Sequence, residues 1–151
     1  MKPSEKLAEL KLALPPFVAP IGSYIPGIRT GNLVLVSGQL PFVEGKLTCT
    51  GKVGQDVALE QANAAARTAG LNALGIAAHT VGGIDNIKRI IRLAVFVNSA
   101  PGFFDQPKVA NGASDMMVQI FGEAGKHVRA AVGASELPMN AAVEVELMAE
   151  C

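Results

Sequence analysis

Between Ala142 and Ala149 the chain alternates apolar residues with the acidic residues Glu144 and Glu146. A period of two residues is typical of a β-strand with one face in the core and one face outside it. We therefore predict a final strand over 142–149, with both carboxylates on the face opposite the core.

Other apolar runs show no alternation. Leu33–Val36 and Lys88–Val97 are rich in valine, leucine and isoleucine at successive positions, as interior strands are. Gly31 and Asn32 precede the first run and predict a hairpin with the segment 24–29. Further short strands are predicted at 46–49 and 127–132.

Helical patterns separate these strands. Alanines at three- and four-residue spacing predict a helix from Asp56, as its N-cap, to about Ala78. Pro107 suits the first turn of a second helix that runs to about Phe121. A short helix is predicted over 4–14, with Ser4 as cap and two prolines ending it.

The order hairpin, helix, strand, helix, strand, strand predicts an α+β fold, a mixed sheet with its two main helices on one face. The strands are too apolar for the other face to lie in water. Exposed apolar area of that size usually marks an interface, so we expect the chain to self-associate.

Composition excludes several classes of protein. Of 151 residues, 13 are basic and 13 are acidic, so no positive excess is left for phosphates and nucleic-acid binding is unlikely. No apolar run approaches the roughly 20 residues that span a bilayer, and no secretory signal is evident. Cys49 and Cys151 form no disulfide framework, which favours the cytoplasm. His79 and His127 lack the spacing of a metal site.

Several segments, in order along the chain, resemble one family. They are Pro20–Tyr24, Gly31–Pro41, Gly51–Val53, Val95–Val97, Arg129–Val132, Leu137–Pro138 and Val143–Glu146. Together they resemble the YjgF/RidA family of reactive-intermediate deaminases, some of which carry the name endoribonuclease L-PSP. The resemblance divides the chain into an N-terminal helical extension, 1–16, and a single RidA-like domain, 17–151.

This resemblance implies a chorismate-mutase-like fold and a homotrimer with its sheets inside and its pockets between subunits. It also implies hydrolysis of small 2-imino or enamine acids to 2-oxo acids and ammonia, with no cofactor and no metal. One alternative is a non-enzymatic trimer that binds small carboxylates as a sensor or scaffold. A second is a ribonuclease, which the zero net charge and the lack of paired histidines disfavour.

Two charged residues match catalytic positions of the family. Arg129 matches the arginine that binds the substrate carboxylate, for which a planar guanidinium is well suited. Glu144 matches a family carboxylate near the pocket, and a carboxylate at such a place can orient or activate the attacking water. The alternative for both is an ion pair, because a tight turn over 137–140 would place Arg129 opposite Glu144 and Glu146. A solvated strand face is a further alternative for Glu144.

The remaining matches line the pocket in the family. Tyr24 corresponds to a pocket tyrosine, and otherwise is a half-buried aromatic residue. Ser37 and Gly38 correspond to a strand-end pair whose glycine lets backbone groups approach a ligand, and otherwise form a turn. Asn111 corresponds to a helix asparagine facing the cleft, and otherwise is an exposed helix residue. The backbone at Ala131 frames the imine.

Four positions depart from the family pattern. Ala131 replaces a common cysteine, which excludes thiolate chemistry in this pocket, and Gly133 replaces a common glutamate. His127 and Val128 precede the arginine where the family often has a proline and a small residue. His127 is either a general base or a structural histidine. These departures indicate a distinct subgroup and leave the choice of substrate open.

Overall fold

A five-stranded mixed sheet, with two long helices on one face, forms the body of the computed structural model, which describes all 151 residues. The helices are α1 (Pro3–Glu9), α2 (Leu59–Val81) and α3 (Gln106–Phe121). The strands are β1 (Gly27–Thr30), β2 (Leu33–Gln39), β3 (Phe42–Val43), β4 (Lys46–Leu47), β5 (Arg89–Asn98), β6 (Val128–Ala134) and β7 (Val143–Glu150). The predicted α+β class is confirmed.

The strand order is β1-β2-β7-β5-β6, and β3 and β4 form a separate small hairpin. Only β5 and β6 run parallel, while every other pair in the large sheet is antiparallel. The predicted hairpin of β1 and β2 is confirmed, since Thr30 pairs with Leu33 across the turn of Gly31 and Asn32. β2 and β5 each lie between two neighbours, as their apolar runs predict.

The core lies between the sheet and the helices. α2 packs on β2 and β7, and α3 packs on β5 and β6. The valines and leucine of β7 are buried against these helices, whereas Glu144 and Glu146 are on the opposite face, as the alternation predicts. The buried stripe of α2 consists mainly of alanines, and these small side chains allow the helix to lie close to the sheet.

The starts of α2 and α1, which were predicted from the capping residues Asp56 and Ser4, both differ from the prediction. α2 begins at Leu59, because Asp56 Oδ2 instead accepts the N–H of Lys52 at 2.9 Å and closes the preceding loop. Ser4 lies inside α1, where its backbone N–H and its Oγ both donate to the Asp85 carboxylate. α1 ends at Glu9, five residues before the predicted limit, and Lys11 then takes a left-handed φ of 54°.

The prediction that a tight turn brings β6 against β7 is wrong. β6 pairs in parallel with β5 at the edge of the sheet, and β5 separates it from β7. The connection crosses the end of β5, where the buried Asn98 Nδ2 donates to Asn140 Oδ1 and to the carbonyl of Ala141. Met139 and Asn140 take left-handed φ values of 57° and 56° in this crossing.

No helix covers the second face of the sheet. Register places seven large apolar side chains on it, namely Ile28, Leu33, Leu35, Phe96, Val128, Val132 and Met148. Val132 is 46% exposed and Ile28 is 51% exposed, so the chain alone leaves much of this face uncovered. None of the three helices combines the length and apolar character needed to cross a bilayer.

Candidate functional site

Arg129 lies near the start of the edge strand β6. Its register partner is Leu93, which is fully buried on the helical side of the sheet. Arg129 is therefore directed towards α3, where its Nη1 donates to Asn111 Oδ1 at 2.8 Å and to Ser114 Oγ at 3.1 Å. Asn111, which the family pattern places at the cleft, contacts the arginine directly.

The two bonds to α3 leave one edge of the Arg129 guanidinium free. Both hydrogens of Nη1 are used, whereas Nε and Nη2 make no hydrogen bond within the chain. A guanidinium carries five N–H donors in a rigid plane, and neighbouring donors on one edge match the two oxygens of a carboxylate. The free Nε–Nη2 edge therefore has the donor geometry that a carboxylate matches.

Ser114 and His127 join this group, although the sequence does not mark Ser114. His127 Nδ1 lies 2.7 Å from the carbonyl oxygen of Gly125, and Nε2 lies 2.9 Å from Ser114 Oγ. A carbonyl only accepts, so Nδ1 carries a hydrogen, and Nε2 of the neutral ring accepts from the hydroxyl. The available signal was the spacing of Asn111 and Ser114, three residues apart on one helix face.

Ala131 and Gly133 continue the same face of β6. Ala131 pairs with the buried Val95 and packs partly against the core. A Cβ at residue 133 would lie 3.1 Å from both Gln106 Nε2 and Ser99 Oγ, so a larger side chain there has to displace these two groups. The departures from the family pattern thus lie beside Arg129.

A second group of predicted residues lies on the other face, on β2 and β7. Glu144 pairs with Phe96, and Ser37 and Gly38 form an irregularity in the pairing of β2 with β7. A Cβ at residue 38 would come within 2.7 Å of Glu144 Cδ. A side chain at residue 38 would therefore have to displace the Glu144 carboxylate.

Glu144 is a half-buried carboxylate without a partner in the chain. No hydrogen bond reaches its oxygens, and the three ion pairs of the structure are all between neighbours on the surface. Burial raises the pKa of the Glu144 carboxyl above its ordinary value, and the charge of Glu146 raises this pKa further. A raised carboxyl pKa suits a proton acceptor that works near neutral pH.

Tyr24 lies in the loop before β1, with 57% of its surface exposed and no hydrogen bond to its hydroxyl. Two residues later, the carbonyl of Pro26 accepts the backbone N–H of Ser37 at 2.8 Å. The loop that carries Tyr24 therefore meets the sheet beside Ser37 and Gly38.

The chain brings the predicted residues together in two groups. Arg129, Asn111 and Ala131 form the arginine group, and Ser37, Gly38 and Glu144 form the glutamate group, whereas Tyr24 lies in the loop that ends beside Ser37. The groups lie on opposite faces of the sheet with β5 between Arg129 and Glu144. An ion pair between these two residues within one chain is therefore wrong, because it required β6 and β7 to be neighbours.

Known proteins resemble this chain in sequence and in fold. The family described as "YjgF/chorismate_mutase-like, putative endoribonuclease" matches residues 4–151. The chain belongs to the YjgF family. The chain is 41% identical over 145 residues to Protein TCP17 of Trypanosoma cruzi, and the matched region covers 95% of the chain and 91% of TCP17.

Two solved structures superpose closely on this YjgF-family chain. One, from Shewanella oneidensis MR-1 and named as a candidate endoribonuclease, has a TM-score of 0.95 and 36% identity over all of both chains. The other, a protein of unknown function from Agrobacterium tumefaciens, has a TM-score of 0.88 and 43% identity over 98% of this chain and 91% of that one. The predicted family and its chorismate-mutase-like fold are confirmed.

Proposed function

We propose that the protein hydrolyses small 2-imino or enamine acids to 2-oxo acids and ammonia. The observation that carries the proposal is Arg129, whose Nη1 is held by α3 while its Nε–Nη2 edge stays free and exposed. A guanidinium fixed in this way binds a carboxylate in one orientation, and so fixes the rest of a small substrate.

A solved structure with this fold supports the proposal that the ligand is a small carboxylate. The Escherichia coli protein TdcF was solved with bound serine, and it shares 22% identity and a TM-score of 0.63 with this chain, over 88% of it and 91% of TdcF. Serine is a small amino acid with a carboxylate next to a carbon that bears nitrogen. A 2-imino acid has the same arrangement.

The two groups form one site only if they come from two subunits. We place the arginine group of one subunit against the glutamate group of its neighbour, within a trimer whose sheets face inward. The uncovered apolar face and the exposed edge strand β6 supply the surfaces for such an assembly.

In the proposed reaction Arg129 binds the carboxylate and holds the C=N carbon towards Glu144. A water molecule attacks this carbon while Glu144 accepts one proton from the water, and Glu144 then gives that proton to the imine nitrogen, which becomes the amine of a carbinolamine. Glu144 next takes the hydroxyl proton of the carbinolamine and transfers it to the amine, so that the C=O bond forms as the C–N bond breaks and ammonia and the 2-oxo acid are released. Backbone groups near Ser37, Gly38 and Ala131 frame the nitrogen. Imines hydrolyse in water unaided, so positioning and modest electrostatic help are sufficient.

The test follows 2-oxo acid formation from a 2-imino acid generated in the assay. Wild type is expected to accelerate hydrolysis, and Arg129→Ala to lose most of that acceleration. Arg129→Lys keeps the charge but not the planar pair of donors, so its Kd for a 2-oxo acid is expected to rise about tenfold or more. Equal rates and affinities in all three proteins would remove Arg129 from the site.

Wild type and the two Arg129 variants also distinguish two other functions from imine hydrolysis. The family description favours an endoribonuclease, and the test is cleavage of single-stranded RNA, for which we expect no turnover because the chain has no net positive charge. A non-enzymatic carboxylate binder would also need Arg129. It would bind a 2-oxo acid without accelerating imine hydrolysis.

A further inference from the structure

We propose that Ser114 and His127 are positioning residues that hold the Arg129 guanidinium in its carboxylate-binding orientation. The inference rests on the proposed function, because it concerns the same arginine. It assigns a role to two residues that touch neither the substrate carboxylate nor the imine in the proposed reaction.

The chain of hydrogen bonds has a fixed direction. It starts at the Gly125 carbonyl, which accepts from His127 Nδ1 at 2.7 Å and so fixes the neutral tautomer with a lone pair on Nε2. Ser114 Oγ lies 2.9 Å from that nitrogen and donates its only hydrogen to it. The hydroxyl lone pairs are then left for Arg129, whose Nη1 donates at 3.1 Å.

Two hydrogen-bond acceptors hold the Arg129 guanidinium in one orientation, whereas a single acceptor would let it rotate. Asn111 and Ser114 are three residues apart on α3, and each takes one hydrogen of the same Nη1 atom. Because the guanidinium is planar, fixing both Nη1 hydrogens also fixes the direction of Nε and Nη2. Loss of Ser114 Oγ would leave a single bond, about which an exposed arginine can rotate.

His127 is one of the positions at which this chain departs from the family pattern. The family often has a proline two residues before the arginine, and a proline side chain can neither donate nor accept. A histidine there points its ring at α3 and sets which way the Ser114 hydroxyl faces. The arrangement is therefore a feature of this chain at a position where it departs from the family pattern.

The experiment compares four variants with wild type. Ser114→Ala removes the hydroxyl, and Ser114→Thr restores it on the same helix. His127→Phe removes both ring hydrogen bonds, and His127→Gln offers an acceptor close to the position of Nε2. Thr68→Ala is the control, because it removes a helix hydroxyl that bonds only to the backbone of α2.

We expect Ser114→Ala and His127→Phe to raise the Kd for 2-oxobutyrate about 5- to 30-fold by calorimetry. We expect KM to rise by a similar factor with kcat changed much less, since Arg129 binds the carboxylate throughout the reaction. Ser114→Thr should recover most of the affinity, and His127→Gln should bind better than His127→Phe. Thr68→Ala should match wild type.

Nitrogen NMR supplies a readout that simple destabilisation does not move. In its neutral ring, His127 should show a protonated Nδ1 and an unprotonated Nε2. The Nε2 signal should shift in Ser114→Ala and return in Ser114→Thr. The opposite tautomer in wild type would overturn the proposed chain of hydrogen bonds.

The outcomes separate this inference from the proposed function. If wild type binds 2-oxobutyrate through Ser114 and His127 but does not accelerate imine hydrolysis, the positioning role stands and the deaminase function fails. If Arg129→Ala abolishes turnover while Ser114→Ala and His127→Phe match wild type, the deaminase function stands and the positioning role is overturned. No binding of 2-oxobutyrate by wild type overturns both.

Discussion

Glu144 has an environment that carboxylates at exposed strand positions do not share. Its side chain lies over Gly38, no cation of the same chain reaches it, and Glu146 is close on the same face. Burial and the like charge both favour the protonated form, and therefore both raise the pKa of Glu144. Any role as a proton acceptor is limited at low pH by this pKa.

Removing the charge of Glu146 should make Glu144 easier to ionise. In Glu146→Gln the acid limb of the pH profile of kcat/KM is expected to move to lower pH, because one cause of the raised Glu144 pKa is lost. The rate near neutral pH should change little. Initial rates of 2-oxo acid formation between about pH 4 and 8 give this limb.

Glu144→Gln is the matched variant for that profile. It should lose the acid limb altogether and lower the rate near neutral pH about 100-fold, while binding of a 2-oxo acid is retained. An unchanged limb in both variants would mean that another group accepts the proton.

At the level of elements, the site depends on how closely α3 packs against α2. The Gly112 backbone contacts the Asn63 backbone, and a Cβ at residue 112 would lie 2.9 Å from the Asn63 carbonyl carbon. Asn63 Nδ2 also donates to the Lys108 carbonyl at the start of α3, at 2.8 Å. Gly112 follows Asn111 directly, so this contact sets the position of an acceptor for Arg129.

Gly112→Ala is expected to lower the free energy of unfolding by about 1–3 kcal/mol, because the added methyl overlaps backbone atoms that cannot move aside. It should also weaken 2-oxo acid binding, since α3 has to shift with Asn111. Urea denaturation and calorimetry measure the two effects.

Gly75→Ala is the control for the Gly112 variant, because its Cβ would meet the Pro15 ring, 3.0 Å away on a side of α2 remote from α3. We expect this variant to bind 2-oxo acids as wild type does. Full stability and full affinity in Gly112→Ala would contradict the tight contact.

The pattern of apolar and polar residues predicted each main element and the buried face of β7, because periodicity within one element depends on local geometry. It did not predict which strand lies beside β6. That choice depends on the crossing of residues 134–143 over the end of β5, which is stabilised by the buried Asn98. The alternative that Arg129 forms an ion pair with Glu144 in one chain fails for this reason.

Capping residues were misassigned for a related reason. Asp56 and Ser4 have side chains that cap helices, but each has a better partner nearby, the Lys52 amide and the Asp85 carboxylate. Ser114 was missed because its three-residue spacing from Asn111 indicates a shared helix face but does not identify the partners of that face, Arg129 and His127, on other elements.

At the scale of the whole molecule, the main feature is the apolar sheet face, which no other part of the chain covers. We expect a trimer with the sheets inside, and a mass of three chains by analytical ultracentrifugation at micromolar concentration. Val132→Glu places a charge on this face, at a side chain 46% exposed in the single chain, and should dissociate the assembly. Val118→Glu is the control, because Val118 is exposed on α3. A stable wild-type monomer would contradict the proposed assembly.

A site shared between subunits has a consequence that no site within one chain has. Arg129→Ala and Glu144→Gln subunits are each expected to be nearly inactive alone, but refolded together in equal amounts they form mixed trimers. An intact site needs Arg129 from one subunit and Glu144 from its neighbour, so random assembly should restore about a quarter of the sites. Arg129→Ala mixed with Asn111→Ala should restore none, because both residues belong to the arginine group of one chain. Mixed trimers that form without recovering activity would show that the arginine and glutamate groups do not share a site.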